Sequence, residues 1–119
     1  MFVDLPPRQW HDVDEVAVKI LNQQLLQAAK GKHRDAAGAI DRWIELMSAA
    51  RWRTFLNVRQ TFPATDPVKL ANGRTVTVFD IKGNVYRLIT TLDYQREIVA
   101  VWHFLTHAEY DREKWKGSL

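Results

Sequence analysis

Residues 76–106 read VTVFDIKGNVYRLITTLDYQREIVAVWHFLT, and their pattern decides the fold. Val76–Ile81 is apolar and rich in β-branched residues, which predicts a strand. Lys82-Gly83-Asn84 follows as a turn, because Gly and Asn both tolerate positive φ. Val85–Asp93 is the next strand, Tyr94-Gln95-Arg96 the next turn, and Ile98–Thr106 a third strand. Turns this short leave no room for a crossover, so the three strands must form an antiparallel meander.

Upstream, Val16–Leu21 is a short apolar run that suits a first strand. Gln23–Lys30 predicts a helix with Gly31 as its C-cap. Asp35 is a suitable N-cap for a second helix, from Ala36 to about Ala50. That helix sets Ile40, Trp43, Ile44 and Met47 on one stripe and turns Asp41, Arg42 and Glu45 to water. Arg51-Trp52-Arg53 then leads into a loop that includes Thr61-Phe62-Pro63 and Asp66-Pro67. Downstream of the meander, Ala108–Lys116 predicts a short C-terminal helix. Residues 1–14, with Pro6-Pro7, form an irregular arm before a domain spanning 15–119. The order arm, β, α, α, β, β, β, α describes an α+β domain with helices on one face of a small, mostly antiparallel sheet.

The chain has 119 residues, 46% of them hydrophobic and 26% charged, which suits one small globular domain. The absence of cysteine excludes a disulfide framework, a thiolate nucleophile and Cys-based metal sites. No run approaches the ~20 apolar residues of a membrane span, and the first residues do not resemble a signal peptide. With five glycines and no glycine-rich phosphate loop, a nucleotide-binding fold is disfavoured. The formal charge of +3 is unevenly spread. Residues 1–18 are net acidic, while residues 19–62 carry eight basic and three acidic side chains. A polyanionic partner is thus permitted, not required.

Strand alternation separates Tyr86, Leu88, Thr90 and Leu92 from Val85, Arg87, Ile89, Thr91 and Asp93. Arg87 therefore stands on a rigid strand, on the face away from the helices, flanked by apolar neighbours. It reads either as an ordinary surface arginine or as a preorganised fork for phosphate oxygens. The junction Thr106-His107-Ala108-Glu109-Tyr110-Asp111 has the same two readings. His107 could simply complete the strand-to-helix turn while Tyr110 packs on the core, or His107 could transfer protons near neutral pH with Glu109 and Tyr110 at hand. His103 reads as a core or surface histidine. Four scattered histidines lack metal-ligand spacing, so no metal or other cofactor is expected. Arg53, Lys82, Lys114 and Lys116, interleaved with Trp52, Trp102 and Trp115, suit single-stranded RNA, whose bases can be splayed and stacked. Trp43, on the helix stripe, reads as core.

Several of these segments together resemble the HigB-type toxins of bacterial toxin–antitoxin pairs, relatives of the RelE ribonucleases. They are Trp52-Arg53, residues 61–66 (TFPATD), residues 78–89 (VFDIKGNVYRLI) and residues 106–111 (THAEYD). The resemblance runs from about Val16 to Lys116. It implies a RelE-like fold and an mRNA interferase, a metal-independent endoribonuclease usually acting on translating ribosomes. It implies a HigA-type helix-turn-helix antitoxin, operator DNA contact only through that antitoxin, and residence in the bacterial cytoplasm without membrane association. Arg87, His107, Glu109 and Tyr110 fall on family functional positions, and Lys82 and Asn84 lie beside them. Trp102 stands where family members often carry a basic residue, which offers a stacking surface in place of a phosphate contact. Leu105 stands where they often carry glycine. Two other readings share this fold: a catalytically inactive module that binds RNA or ribosomes, and a plain antitoxin-binding domain.

Overall fold

The computed structural model describes residues 18–49 and 51–119. The arm, the domain start at residue 15, the first two residues of the expected strand and Ala50 lie outside the described residues.

Five strands form one sheet in the order β1-β5-β4-β3-β2. These are β1 (Lys19–Leu21), β2 (Thr65–Lys69), β3 (Thr75–Ile81), β4 (Tyr86–Asp93) and β5 (Ile98–Thr106). The meander is present as expected, and β2 joins it antiparallel to β3. Only β1 runs parallel to its neighbour β5. The result is an α+β fold with the expected mostly antiparallel sheet. The turn into β4 departs in detail: Lys82 and Gly83 take positive φ (56° and 67°), not Gly83 and Asn84.

Helices α1 (Gln23–Lys32) and α2 (Ala37–Ala49) pack on one face. Gly31 does not cap α1. The helix continues through Lys32, and His33 closes it with its N–H on the carbonyl of Ala29. Nor does Asp35 cap α2; it lies inside a 3₁₀ turn, Arg34–Ala36, that feeds the helix. Its carboxylate instead accepts from the Tyr86 hydroxyl at 2.8 Å and from Lys82 at 3.0 Å. The stripe on α2 behaves as its spacing dictates, burying Ile40, Trp43 and Met47 against Phe79, Leu88 and Val101.

The expected loop after α2 contains two elements. Helix α3 (Phe55–Thr61) starts at Thr54, whose side chain accepts from the Asn57 N–H, and buries Val58. Its single apolar anchor over seven residues gives too short a period to detect. Strand β2 contains Pro67, which reads as a breaker in sequence but is tolerated on an edge strand. The C-terminal helix is also shorter than expected. Helix α4 (His107–Asp111) ends early, Glu113 adopts φ 62°, and a 3₁₀ turn covers Lys114–Ser118. That turn folds back under the sheet. Trp115 joins Leu70, Val76, Val78 and Ile89 in a second apolar cluster, so the face away from the helices is partly covered rather than open.

Candidate functional site

The second face carries the candidate site. Hairpin register sets Asp80 on β3 directly opposite Arg87 on β4. The Arg87 Nε lies 3.2 Å from Asp80 Oδ1, and both side chains are largely buried. Arg87 Nη1 donates to the carbonyls of Asn84 (2.8 Å) and Tyr86 (3.3 Å). The guanidinium therefore has one orientation, and no described residue accepts from its Nη2. Of the two readings open for Arg87, the ordinary surface arginine does not hold: the side chain is largely buried, ion-paired and covered by Tyr110.

The roof is a stack. The Arg87 guanidinium sits 5.6 Å from the centroid of the Tyr110 ring. Tyr110 in turn stacks on Trp115 at 5.3 Å and 14° between planes. Trp115 Nε1 donates to the Tyr110 carbonyl at 3.0 Å, fixing one ring to the other residue's backbone. Lys116 Nζ lies 5.7 Å from the centroid of the Trp115 ring. Cation–aromatic pairs of this kind contribute about 0.5–2 kcal/mol each, more when desolvated.

Helix α4 enters the site through a capping box. Thr106 Oγ1 accepts from the Glu109 N–H at 3.2 Å, and Glu109 Oε1 accepts from the Thr106 N–H at 2.9 Å. This explains the local fold: a Thr followed three residues later by Glu ends β5 and starts a helix without leaving backbone donors unpaired. It also holds the Glu109 carboxyl below the usual glutamate range, chiefly through the Thr106 N–H. His107, next in line, is half-exposed and places Nδ1 2.8 Å from Asp111 Oδ2. That contact fixes the ring and leaves Nε2 as its other polar atom.

Two acids share the Arg87 face. Burial pushes the Asp80 carboxyl above the usual aspartate range; Arg87 opposes this and Asp66 adds to it. Burial likewise raises the Tyr110 hydroxyl, with Asp66 the next contributor. His103, bonded through Nε2 to Ser118 Oγ at 2.7 Å, is pushed down by burial. Among the described residues no group of three or more His, Cys, Asp or Glu could hold a metal ion.

Residues 36–113 match the HigB_toxin family, described as the RelE-like toxic component of a toxin-antitoxin system. The chain belongs to that family. No curated protein matches it. The matched span contains α2 to α4, every strand of the meander, and all of Asp80, Arg87, His107, Glu109 and Tyr110. As the toxic component of such a system, this toxin has an antitoxin as its partner. No described helix is long and apolar enough to cross a membrane.

The toxin gathers some of the expected site residues and separates others. Arg87, His107, Glu109 and Tyr110 come together around the β4–β5–α4 junction. Lys82 and Asn84 lie on the turn beside them, but Lys82 pairs with Asp35, and Asn84 contributes its carbonyl. Lys114 and Lys116 flank Trp115 on the covering turn. Trp102 is elsewhere. It is the extra residue of a β-bulge, opposite Ile89/Thr90, and its Nε1 donates to Thr91 Oγ1 at 2.9 Å. Its ring lines a groove against Leu25, Ala28 and Lys32 of α1. Arg53 is farther still, beside Tyr94 and Glu97 at the opposite end of the sheet, roughly 20 Å along β4 from Arg87 at ~3.3 Å per residue. Sequence reasoning missed Asp80, Asp66 and Asp111. Asp80 had a usable signal: in a tight hairpin centred on Gly83-Asn84, the partner of Arg87 is fixed by counting outward from the turn.

Proposed function

We propose that this toxin is a metal-independent endoribonuclease that cleaves mRNA on translating ribosomes and so arrests translation. The observation that carries the reading is an Arg87 held by Asp80 and two backbone carbonyls, with His107, held by Asp111, at the neighbouring end of β5. RNA brings its own nucleophile, so the protein needs only to orient a phosphate, stabilise its charge and move protons. Arg87 Nη2 takes a phosphoryl oxygen, and the developing charge strengthens that contact in the transition state. His107 Nε2 accepts the proton of the attacking 2′-OH. The 2′-oxygen bonds to phosphorus, the bond to the 5′-oxygen breaks, and that oxygen takes a proton from the Tyr110 hydroxyl or from water. The products are a 2′,3′-cyclic phosphate and a 5′-hydroxyl. Glu109, with one oxygen held by Thr106, sets the start of α4, so the general base is His107. Lys82, Lys114 and Lys116 guide the strand electrostatically. The reading brings with it a HigA-type helix-turn-helix antitoxin, operator contact only through that antitoxin, and action in the bacterial cytoplasm.

One observation favours a second reading. Asp80 sits 3.2 Å from the phosphate-binding candidate and cancels its charge, as would suit a module that binds RNA or ribosomes without cutting. Induction of wild type and His107→Ala, with primer extension on cellular mRNA, separates the two. We expect new 5′ ends with wild type and about 10²–10⁴ less cleavage with the variant. Ribosome association without new ends would select the second reading.

A further inference from the structure

A cleft of about 340 Å³ opens between β5, α4 and the C-terminal turn, lined by His103, Leu105, Glu109, Arg112, Lys114, Trp115 and Ser118. We propose that it is a base-recognition pocket for the substrate strand, in which the second carboxylate oxygen of Glu109 reads a nucleobase next to the scissile phosphate and selects one that presents N–H donors. The inference rests on the ribonuclease reading and extends it from the reacting phosphate to sequence preference.

Position is the first argument. Leu105 is the cross-strand partner of Arg87, and such neighbours lie about 5 Å apart. A phosphate on Arg87 thus places the adjoining nucleotide at the mouth of the cleft. Composition is the second. Its lining combines apolar residues (Leu105, Trp115), polar or acidic ones (His103, Glu109, Ser118) and cations (Arg112, Lys114). An apolar lining with a few fixed polar atoms, beside basic residues for the backbone, suits an unpaired RNA base. The volume falls within the ~300–1,000 Å³ of small-ligand sites.

Preorganisation is the third. Glu109 Oε1 is committed to the Thr106 N–H, which fixes the plane of the carboxylate and leaves Oε2 to a ligand. A carboxylate is acceptor-only. Guanine offers two adjacent donors, N1–H and N2–H, and ranks first. Uracil offers one donor between two carbonyls and ranks last. His103 also lines the cleft, and its ring is held by Ser118.

Glu109→Gln is a sharp probe because the capping box dictates its orientation. Gln serves as well as Glu at this capping position, and its oxygen must face the Thr106 N–H. The amide NH₂ then replaces Oε2, turning an acceptor into a donor. The experiment maps 5′ ends across cellular mRNA after induction of wild type, Glu109→Gln and Ser118→Ala. The readout is the base distribution at each position around the cuts, a ratio independent of total cleavage. We expect a guanine excess at one fixed position for wild type. It should fall about 10-fold or more in Glu109→Gln, with acceptor-presenting bases rising, as for loss of a base contact worth ~1–3 kcal/mol. Ser118→Ala, which unlocks His103, should broaden the distribution, and it carries the test if Glu109→Gln does not fold. Identical distributions in all three overturn the pocket while leaving the nuclease. Weakened antitoxin binding with unaltered distributions assigns the cleft to the antitoxin instead. If wild type makes no cuts, the ribonuclease reading fails and the pocket with it.

Discussion

On the helix side of the sheet, Trp43 and Phe62 meet Phe79 edge to face at 5.5 and 5.1 Å, and Trp52 meets Phe62 the same way at 5.9 Å. On the other side, Val76, Val78 and Ile89 carry Trp115, and then the surface turns ionic at Asp80, Arg87 and His107. Both faces are presented by the same three strands, through alternate residues. The helix face is a matter of apolar volume, where each ring is held by many weak contacts. The opposite face is a matter of direction: Arg87 is held by Asp80, two carbonyls and the Tyr110 ring, and His107 by Asp111, on a platform that the first face keeps rigid. Substitutions on the two faces should therefore fail differently, one in folding and the other in activity.

The largest expected effect lies on the helix face. Trp43 is 1% exposed at the centre of the larger cluster. Trp43→Ala should cost about 3–5 kcal/mol, read by urea denaturation, a large share of the ~5–15 kcal/mol that holds a domain of this kind together. A loss under ~1 kcal/mol would show that the two faces are not built on different rules.

Arg87→Ala comes next and tests the opposite face. Cleavage should fall about 10²–10³-fold, the usual result of removing one charge-stabilising donor. The fold should not be untouched, because Asp80 is left largely buried without its cation, and orphaning one partner of a buried pair is costly. The double variant Asp80→Asn/Arg87→Ala separates the two effects. It should recover most of the stability and none of the activity. Recovery of both would mean that Arg87 matters only as a counter-ion.

The sequence revealed the two faces unequally, and the reason is physical. Ile40, Trp43, Ile44 and Met47 repeat at the helical period, and the meander alternates with period two, so the apolar face could be read from pattern alone. Arg87 could be assigned to the second face, and His107, Glu109 and Tyr110 to the strand–helix junction. What pattern could not show is what those residues touch. The enclosure of Arg87 depends on a turn whose folding back rests on positive φ at Glu113, a residue with no intrinsic liking for that conformation. The sequence there continues the appearance of a helix through Lys116. Strand β2 was hidden by Pro67, and with it Asp66 on the site face. Composition groups Arg53 and Trp102 with the site because they are basic and aromatic, but composition carries no distance.

Glu109→Ala should have a smaller effect on stability, about 0.5–2 kcal/mol by analogy with other caps, seen by thermal melting. The carboxyl is depressed in the folded state. Its stabilisation is therefore fully present above the ordinary glutamate range and is lost as pH falls through the lower, folded-state value. The gap between wild type and Glu109→Ala should accordingly close on acidification below about pH 4, near the ordinary glutamate value. A gap that persists there would show that the cap does not depend on charge.

The smallest expected effect, and the sharpest test of how the ionic face is built, belongs to Asp80→Asn. The Asp80 carboxyl is raised above the usual aspartate range because the cost of burial exceeds the attraction of Arg87, and Asp66 adds to that cost. A group raised in the folded state favours folding while protonated. Its contribution is fully present below the unfolded value and is lost as pH rises through the folded one. At neutral pH the ionised pair thus holds Arg87 in place at a small net expense to stability, consistent with the general finding that buried ion pairs are weak stabilisers. Asn keeps the shape and an acceptor oxygen but cannot ionise. Asp80→Asn should therefore melt at or slightly above wild type at pH 7, since it removes a charge that burial disfavours. Wild type should close that difference as pH falls toward the aspartate range. A variant several degrees less stable at pH 7 would show that attraction outweighs burial, and that the ionic face is held together by its charges rather than carried by the apolar face beneath it.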